Sequence, residues 1–167
     1  MAPLRIDPVA EARRHWQERW GPEPARPMAA ITSIMRAQQI LLARLNELVR
    51  SHGLTFPRYE ALMLLSFTQR GELPIGKLGE RLQVHRTSAS SIVAALEHDG
   101  LVRRVPSQRD RRATLAAITD AGRAVALAAT EDLHAASFGL GALADEDQET
   151  LTAVLRSLRL DAGDFIP

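Results

Sequence analysis

The stretch Ile75–Ile118, IGKLGERLQVHRTSASSIVAALEHDGLVRRVPSQRDRRATLAAI, decides the fold. Apolar residues in its first half recur at helical spacing and predict a short helix over Ile75–Leu82. A four-residue turn, Gln83–Arg86, separates it from a second predicted helix over Thr87–Asp99, which Gly100 ends. The pattern is that of a helix-turn-helix.

Two β-like runs follow the helix pair and predict a hairpin. They are Leu101–Val105 and Thr114–Ile118, and the polar segment Pro106–Arg112 joins them. Five arginines stand against one acid, Asp110, between positions 103 and 112, which gives that segment a net charge of +4 (Arg103, Arg104, Arg109, Arg111 and Arg112). The hairpin is therefore expected to end in a long basic tip. A merely solvated loop is the ordinary alternative for such a charge run.

Charge is unevenly distributed along the chain, although the whole 167-residue sequence has a net charge of only +1. From Glu131 to Pro167, eight acids stand against two arginines, a net charge of −6. A basic segment next to an acidic region indicates a polyanionic partner that meets one part of the surface only.

The second helix of the pair carries small polar residues near its N-terminal end. A helix that enters the major groove of DNA needs such residues, because they let the backbone approach the base edges and offer donors and acceptors there. We expect the apolar residues Ala89, Ile92, Val93 and Leu96 to hold this helix against Leu78 and Leu82. The predicted contacts with double-stranded DNA come from Arg86, Thr87, Ser88, Ser90 and Ser91 and from the hairpin residues Arg104, Arg109, Arg111 and Arg112. An ordinary polar surface helix is the alternative.

Helices are predicted on both sides of this stretch. Asp7 and Pro8 begin a helix to Trp20, Gly21–Pro24 breaks it, and Pro27 begins a longer helix to about His52-Gly53 with an unusually wide apolar surface. The other predicted helices are Phe56 to about Gln69, one from the N-cap Thr119 to about Ser137, and one from a capping box of Asp145 with Gln148 to about Leu160. Leu73-Pro74 is too short to predict more than a bridge.

These elements predict a mainly α fold with a small β wing, a winged helix-turn-helix embedded in a helical dimerisation domain. Aromatic residues make up only 4% of the chain, which suits packed helices better than a β-sandwich. The expected division is an extra helix and a dimerisation helix over 1–56, a DNA-binding lobe over 57–118 and C-terminal dimerisation helices over 119–167.

Several classes of protein are disfavoured. The absence of cysteine excludes disulfides, thiolate metal sites and cysteine-based redox sensing. The five histidines lack metal-ligand spacing and no nucleophile motif is found, so neither a metal, nor a cofactor, nor an enzyme is predicted. Without a membrane-spanning run or a secretory signal, the expected location is the cytoplasm of a bacterium.

The residues from Leu78 to Arg123 resemble the MarR family of bacterial transcription regulators. The motifs that carry the resemblance are LGERL at 78–82, ALEHDGLVRR at 95–104, QRDRRA at 108–113 and LAAITDAGR at 115–123. The helical arrangement on both sides extends it over roughly Met28–Leu160. The resemblance implies a triangular homodimer whose two recognition helices meet successive major grooves of a pseudo-palindrome. It also implies that Arg111 enters the minor groove while Asp110 orients neighbouring arginines.

The N-terminal extension, with RRHWQERW at 13–20, is similar to the urate-responsive branch of the family. That resemblance matches Trp16, Glu60 and Arg104 to effector-binding residues, whereas Ser91 stands where that branch has a recognition-helix arginine. It therefore implies an aromatic or phenolic anion without specifying urate. The candidate effector residues are His15, Trp16, Trp20, Tyr59, Glu60, Met63 and Arg104. Simple packing is the alternative for both tryptophans, for Tyr59 and for Met63.

The leading functional hypothesis is a homodimeric repressor that a small aromatic or phenolic effector releases from its operator. An effector-independent activator or architectural DNA-binding protein is the second. An alternative from a different class is a helical protein-interaction module that uses the acidic C-terminal region while the arginines bind a protein partner. A ligand-processing enzyme is a distant third.

Overall fold

The fold is helical, with a small three-stranded antiparallel sheet. One strand precedes the fourth helix, and the other two lie between the fifth and sixth helices. The computed structural model describes residues 3–107 and 113–166. They divide into two compact units, one ending at Arg44 and the other beginning at Leu45. The first holds α1 (Pro8–Trp20) and most of α2 (Pro22–Val49).

The second unit begins with the end of α2 and carries the remaining elements. They are α3 (Phe56–Ser66), β1 (Glu72–Pro74), α4 (Ile75–Leu82), α5 (Arg86–His98), β2 (Val102–Pro106), β3 (Thr114–Ile118), α6 (Asp120–Ala135) and α7 (Asp145–Asp161), with short 3-10 helices at Arg50–His52 and Ser137–Gly139. The observed architecture confirms the predicted fold class of a mainly α chain with a small β wing.

The start of the first helix was predicted correctly, but that of the second was not. The Asp7 carboxylate accepts hydrogen bonds from the backbone N–H groups of Val9 and Ala10, as expected of an N-cap. α2 begins at Pro22, five residues before the predicted start at Pro27. Pro22 and the proline two residues later stand in the first turn, where backbone N–H groups have no helical partner, so proline removes no hydrogen bond there.

The ends of two further helices fall short of their predicted positions. α3 ends at Ser66 rather than near Gln69, because both the backbone N–H and the hydroxyl of Thr68 bond to Leu65 O. α6 ends at Ala135, close to the predicted Ser137.

Three strands form the sheet, in the order β1-β3-β2, and all neighbours are antiparallel. The prediction of no more than a bridge at Leu73-Pro74 is wrong, because Glu72–Pro74 pairs as a strand with the free edge of β3. Leu73 lies opposite Ala116, which in turn lies opposite Arg104 on β2. The sheet therefore joins the approach to α4 to the hairpin that follows α5.

One hydrophobic core holds the second unit together. Its largest fully buried side chains come from α2, α3, α4, α5 and α6 (Val49, Leu62, Leu65, Leu78, Val93, Leu96 and Leu133). The inward face of the sheet joins this core through Val102, Ala116 and Ile118. Burial of this apolar area fixes the helix-turn-helix and the hairpin against a common support.

α7 has no buried side chain, and in this it resembles α1. The predicted capping box is wrong, since Ala144 holds the N-cap position and Asp145 is already helical. The Gln148 side chain donates instead to Leu143 O at 3.1 Å. The acidic residues of the first turn lie at the positive end of the helix dipole, where negative charge is stabilising, and the helix has no side-chain cap.

Two negative findings apply to the described residues. None of their helices is both long and apolar enough to cross a bilayer. No three histidine, aspartate or glutamate side chains among them come together as a metal site requires.

Replacing Gly122 with Ala is predicted to destabilise the second unit by about 1–3 kcal/mol. Gly122 lies in the first turn of α6, and a Cβ there would collide with Leu101 O and press on the Ile118 side chain. Urea unfolding measures the loss. Gly76→Ala in α4 is the matched control, because nothing lies within 4 Å of its added Cβ, and it should leave stability unchanged or raise it. Equal stability of the two variants would contradict the close approach of α6 to Leu101.

Candidate nucleic-acid interface

α4 and α5 approach each other closely at two small residues. A Cβ on Gly79 would lie 3.1 Å from the Ala89 Cβ, so a larger side chain at either position would push the helices apart. Gln83 turns the chain between them in a left-handed conformation with φ of 53°, and Val84 N donates to Gly79 O at 3.1 Å. These local contacts set the angle at which α5 leaves the turn.

His85 caps α5, a role that the sequence reading missed. Its Nδ1 lies 2.9 Å from Thr87 Oγ1 and accepts a hydrogen bond from Thr87 N at 3.4 Å. Arg86 is therefore the first residue of the helix rather than the last residue of the turn. Histidine is not among the usual N-cap residues, so the sequence offered no signal for this cap.

The N-terminal half of α5 presents a polar outer face. Arg86, Thr87, Ser88 and Ser91 are exposed and Ser90 is half-buried, while Ala89, Val93 and Leu96 are fully buried on the opposite side. Ser91 Oγ donates to Thr87 O at 3.0 Å, which leaves its oxygen free to act as an acceptor. The exposed set is thus small, polar and able to approach a base edge.

Arg104 joins the hairpin to α5. Its Nη2 donates to Ser90 O at 3.3 Å, its Nε lies 3.5 Å from a Glu97 carboxylate oxygen, and its backbone N donates to the other oxygen at 3.1 Å. Arg104 was predicted both as a DNA contact and as an effector contact. The structure places it along the side of α5.

The predicted contacts at the hairpin tip, Arg109, Arg111 and Arg112, and the orienting Asp110, lie outside the described residues. The strands that lead to the tip are described. Ser107 N donates to Ala113 O at 3.1 Å, so the two ends of the hairpin lie side by side.

A groove of about 630 Å³ runs between the start of α4, the start of α5 and the base of the hairpin. Lys77, Arg86 and Arg104 line it together with Ser90. Its one acidic residue, Glu80, pairs with Lys77 at 2.7 Å. The groove therefore joins the polar face of α5 to the hairpin through a cationic surface, which favours a phosphate backbone.

Comparison with known proteins agrees with this geometry. A family model described as MarR family matches residues 52–113. The MarR family transcriptional regulator Sco5413 from Streptomyces coelicolor is 54% identical with a TM-score of 0.80, over 85% of this chain and 99% of that chain. The chain belongs to the MarR family.

Two more distant relatives support the assignment. Sco3205, a MarR family regulator from Streptomyces coelicolor solved in complex with DNA, is 26% identical with a TM-score of 0.69, over 83% of this chain and 90% of that chain. The organic hydroperoxide resistance transcriptional regulator of Bacillus subtilis (strain 168) is 30% identical over 106 residues, which are 64% of this chain and 70% of that protein. This MarR family chain is a DNA-binding transcription regulator, as its sequence predicted.

Two of the three candidate effector residues on α3, Tyr59 and Met63, contact α6. Tyr59 is buried, and its hydroxyl lies 2.9 Å from Thr130 Oγ1 on α6. Because Thr130 Oγ1 donates to Ala126 O at 2.8 Å, the tyrosine hydroxyl is the donor in this pair. Met63 Sδ lies 3.6 Å from Thr130 Oγ1. Tyr59 and Met63 therefore bind α3 to α6.

Glu60 differs from these neighbours. Its carboxyl is partly buried and makes no hydrogen bond or ion pair with any residue in the described part of the chain. Desolvation by burial raises the pKa of Glu60 above its ordinary value. Such a carboxyl is available to a ligand that donates a hydrogen bond.

The other effector candidates lie in the first unit. The rings of Trp16 and Trp20 are 4.4 Å apart between centroids, and the Arg19 guanidinium lies over Trp20 at 5.0 Å. His15 Nδ1 lies 3.5 Å from a Glu18 carboxylate oxygen. Both tryptophans remain exposed within this unit.

Replacing Glu60 with Gln is predicted to stabilise the protein at neutral pH. Because the folded state raises the pKa of Glu60, it binds the proton more tightly than the unfolded chain does. The stability from this group is fully present below the unfolded pKa near 4.5 and is lost as pH rises through the raised folded pKa. The free energy of unfolding of the Glu60→Gln variant should not show that decline with rising pH.

The measurement is the free energy of unfolding by urea at several pH values from about 4 to 7, a range that brackets the usual glutamate pKa. Glu149→Gln on α7 is the control, because Glu149 is solvent-exposed. An identical pH dependence of the Glu60→Gln variant and the wild type would rule out a desolvated Glu60.

Proposed function

We propose that this MarR family chain is a homodimeric repressor that binds a pseudo-palindromic operator and releases it when a small aromatic or phenolic effector binds. The observation that carries the proposal is the polar outer face of α5, held outward by three fully buried residues on its other side. The chain acts by binding, and no catalytic role is proposed for it.

Exposed apolar residues support the dimer. Leu151, Val154 and Leu158 repeat along α7 at helical spacing and are 40%, 62% and 53% exposed in the single chain. The α2 residues Ile31, Ile34 and Met35 form a second such group within the first unit. Both groups expose apolar surface to water in the single chain, and a second copy of the chain can cover that surface. This favours the proposed division into dimerising segments over 1–56 and 119–167 around a DNA-binding lobe over 57–118.

In the proposed complex each α5 enters a major groove, and the two half-sites lie about 34 Å apart along the duplex. Thr87, Ser88 and Ser91 face the base edges, and Arg86 and the half-buried Ser90 lie at the helix entrance. Arg111 enters the adjacent minor groove, while Arg109 and Arg112 contact phosphates beside it. Arg104 holds the hairpin to α5 and supplies charge at its base.

Replacing Arg111 with Ala is predicted to weaken operator binding strongly without changing dimerisation. Loss of one phosphate or groove contact in each protomer should also make the fall of log affinity with log salt concentration less steep. Fluorescence anisotropy at matched salt measures the affinity, and sedimentation measures the dimer. Arg50→Ala is the control, because the Arg50 guanidinium is exposed and pairs with Glu47 at 2.5 Å. Unchanged affinity of the Arg111 variant would remove the wing from the interface.

Effector release is a shift between dimer conformations. A ligand that binds better to the dimer whose recognition helices are wrongly spaced lowers DNA affinity by its differential binding to the two states. The proposed effector contacts are His15, Trp16, Trp20, Glu60 and, less directly, Tyr59, Met63 and Arg104. Cysteine oxidation is not available as a signal, because the chain has no cysteine.

A panel of aromatic acids should contain a compound that raises the unfolding midpoint and releases the operator at similar concentrations. A ligand at 100 times its Kd stabilises the folded state by about 2.7 kcal/mol. Trp16→Ala should reduce the midpoint shift, whereas Trp20→Ala tests the neighbouring ring of the same pair. A compound that raises the unfolding midpoint without releasing DNA would contradict the proposed effector release. Higher transcription when the protein is bound to its operator would contradict repression and favour an activator.

A further inference from the structure

A second groove, of about 1070 Å³, lies on the outer face of the sheet, away from the hydrophobic core. The strand register places Glu72, Ala117 and Arg103 in one row and Pro74, Leu115 and Val105 in another. Side chains two residues apart on a strand share a face, so both rows lie on the same side of the sheet. Ala116, in the row between them, is fully buried on the other side.

The rim of this outer groove is cationic. Arg70, in the loop before β1, and Arg103, on β2, are exposed and line it. Neither guanidinium makes a hydrogen bond or ion pair with any residue that the structure describes. Glu72 is the acidic residue of the lining, and Lys77 lies at the end towards α4. The net charge of the rim is therefore positive, and two of its cations are free to bind an anion.

The outer groove is continuous with the candidate nucleic-acid interface. The two grooves share Pro74, Lys77 and Ala113 in their linings. A cationic surface thus continues from Arg86 at the start of α5, past Lys77, to Arg103 and Arg70 on the far side of the hairpin base.

We propose that Arg70 and Arg103 bind phosphates of the duplex that flanks each half-site, beyond the wing. The groove has apolar lining residues, since Pro74, Leu115 and Val105 form one row across the three strands. Such a row suits the sugar rings of a nucleic-acid backbone with phosphates at the rim. An open surface beside the interface also favours a long polyanion over a small enclosed ligand. The inference rests on the proposed function, because it extends the same DNA contact.

The consequence is a contact that depends on the length of the flanking duplex but not on its sequence, since phosphate contacts carry no base information. The test uses an operator that the full-length protein itself selects from a random-sequence duplex library. The selected core is then placed in duplexes with no flank, with half a helical turn and with one full turn (about 10 base pairs) on each side, in two unrelated flank sequences.

For the wild-type protein, affinity should increase with flank length and be equal for the two flank sequences. The slope of log affinity against log salt should steepen by about 0.9 for every phosphate gained. Arg70→Ala and Arg103→Ala should bind the unflanked core as the wild type does and lose the flank-dependent increase. Arg50→Ala should keep it, and unchanged unfolding midpoints should show that all variants are folded.

The outcomes separate this inference from the function on which it rests. Failure to select any duplex, or full affinity of Arg86→Ala on every duplex, contradicts the DNA contact of α5 itself. Equal flank dependence in the wild type and in the Arg70 and Arg103 variants overturns the flank contact while leaving the function intact. A third outcome would assign the groove to a small anion instead. In that case an aromatic carboxylate would stabilise the wild-type protein but not Arg103→Ala, and DNA affinity would not depend on flank length.

Discussion

The burial of one face of α5 is the constraint on which the rest of the interface depends. Ala89, Val93 and Leu96 are fully buried, and their spacing of three or four residues fixes the rotation of the helix about its axis. A rotation by one residue would move these side chains into water and bring hydroxyl groups into an apolar core without partners. Thr87 and Ser91 face outward because this alternative is so unfavourable. The polar outer face of α5 is therefore specified by the buried residues on its opposite side.

The hairpin takes its position from the same helix. Arg104 and Glu97 are joined through a backbone N–H bond and a side-chain ion pair, and the Arg104 guanidinium also reaches Ser90 O. Because both contacts start on β2 and end on α5, a displacement of the helix moves the base of the hairpin with it. These contacts couple the position of the hairpin base to that of α5.

Local patterns in the sequence predicted most of this lobe. The bounds of α4 were exact and those of α5 and the two hairpin strands were within one residue, because apolar periodicity and Gly100 act over short distances along the chain. β1 was missed because three residues form a strand only when β3 supplies the partner. The start of α2 was missed because prolines usually mark breaks, although in a first helical turn they cost no hydrogen bond.

The sequence predicted which residue types form the candidate interface, but it did not predict which of them contact each other. The polar positions of α5 followed from helical spacing, whereas the His85 cap and the Arg104–Glu97 pair depend on how two turns fold back in space. The sequence did not distinguish the arginines of the hairpin base by their contacts, and the structure does. Arg104 is engaged with α5, while the guanidiniums of Arg70 and Arg103 make no hydrogen bond or ion pair with the described residues. Arg70 was not among the predicted DNA contacts, and Arg103 was predicted only as part of the basic hairpin segment.

This separation explains why a net charge of +1 says little about nucleic-acid binding. At physiological ionic strength, salt screens charges over about 8 Å, so a phosphate responds to the cations beside it and not to the sum over the chain. Hydroxyl groups on α5 can distinguish base edges but contribute little attraction to a duplex, whereas unpaired guanidiniums attract any duplex and distinguish none. A recognition helix with one arginine at its entrance therefore needs cations on neighbouring elements to supply affinity. In the proposed complex, Arg103 at the hairpin base and Arg70 in the loop before β1 supply such cations.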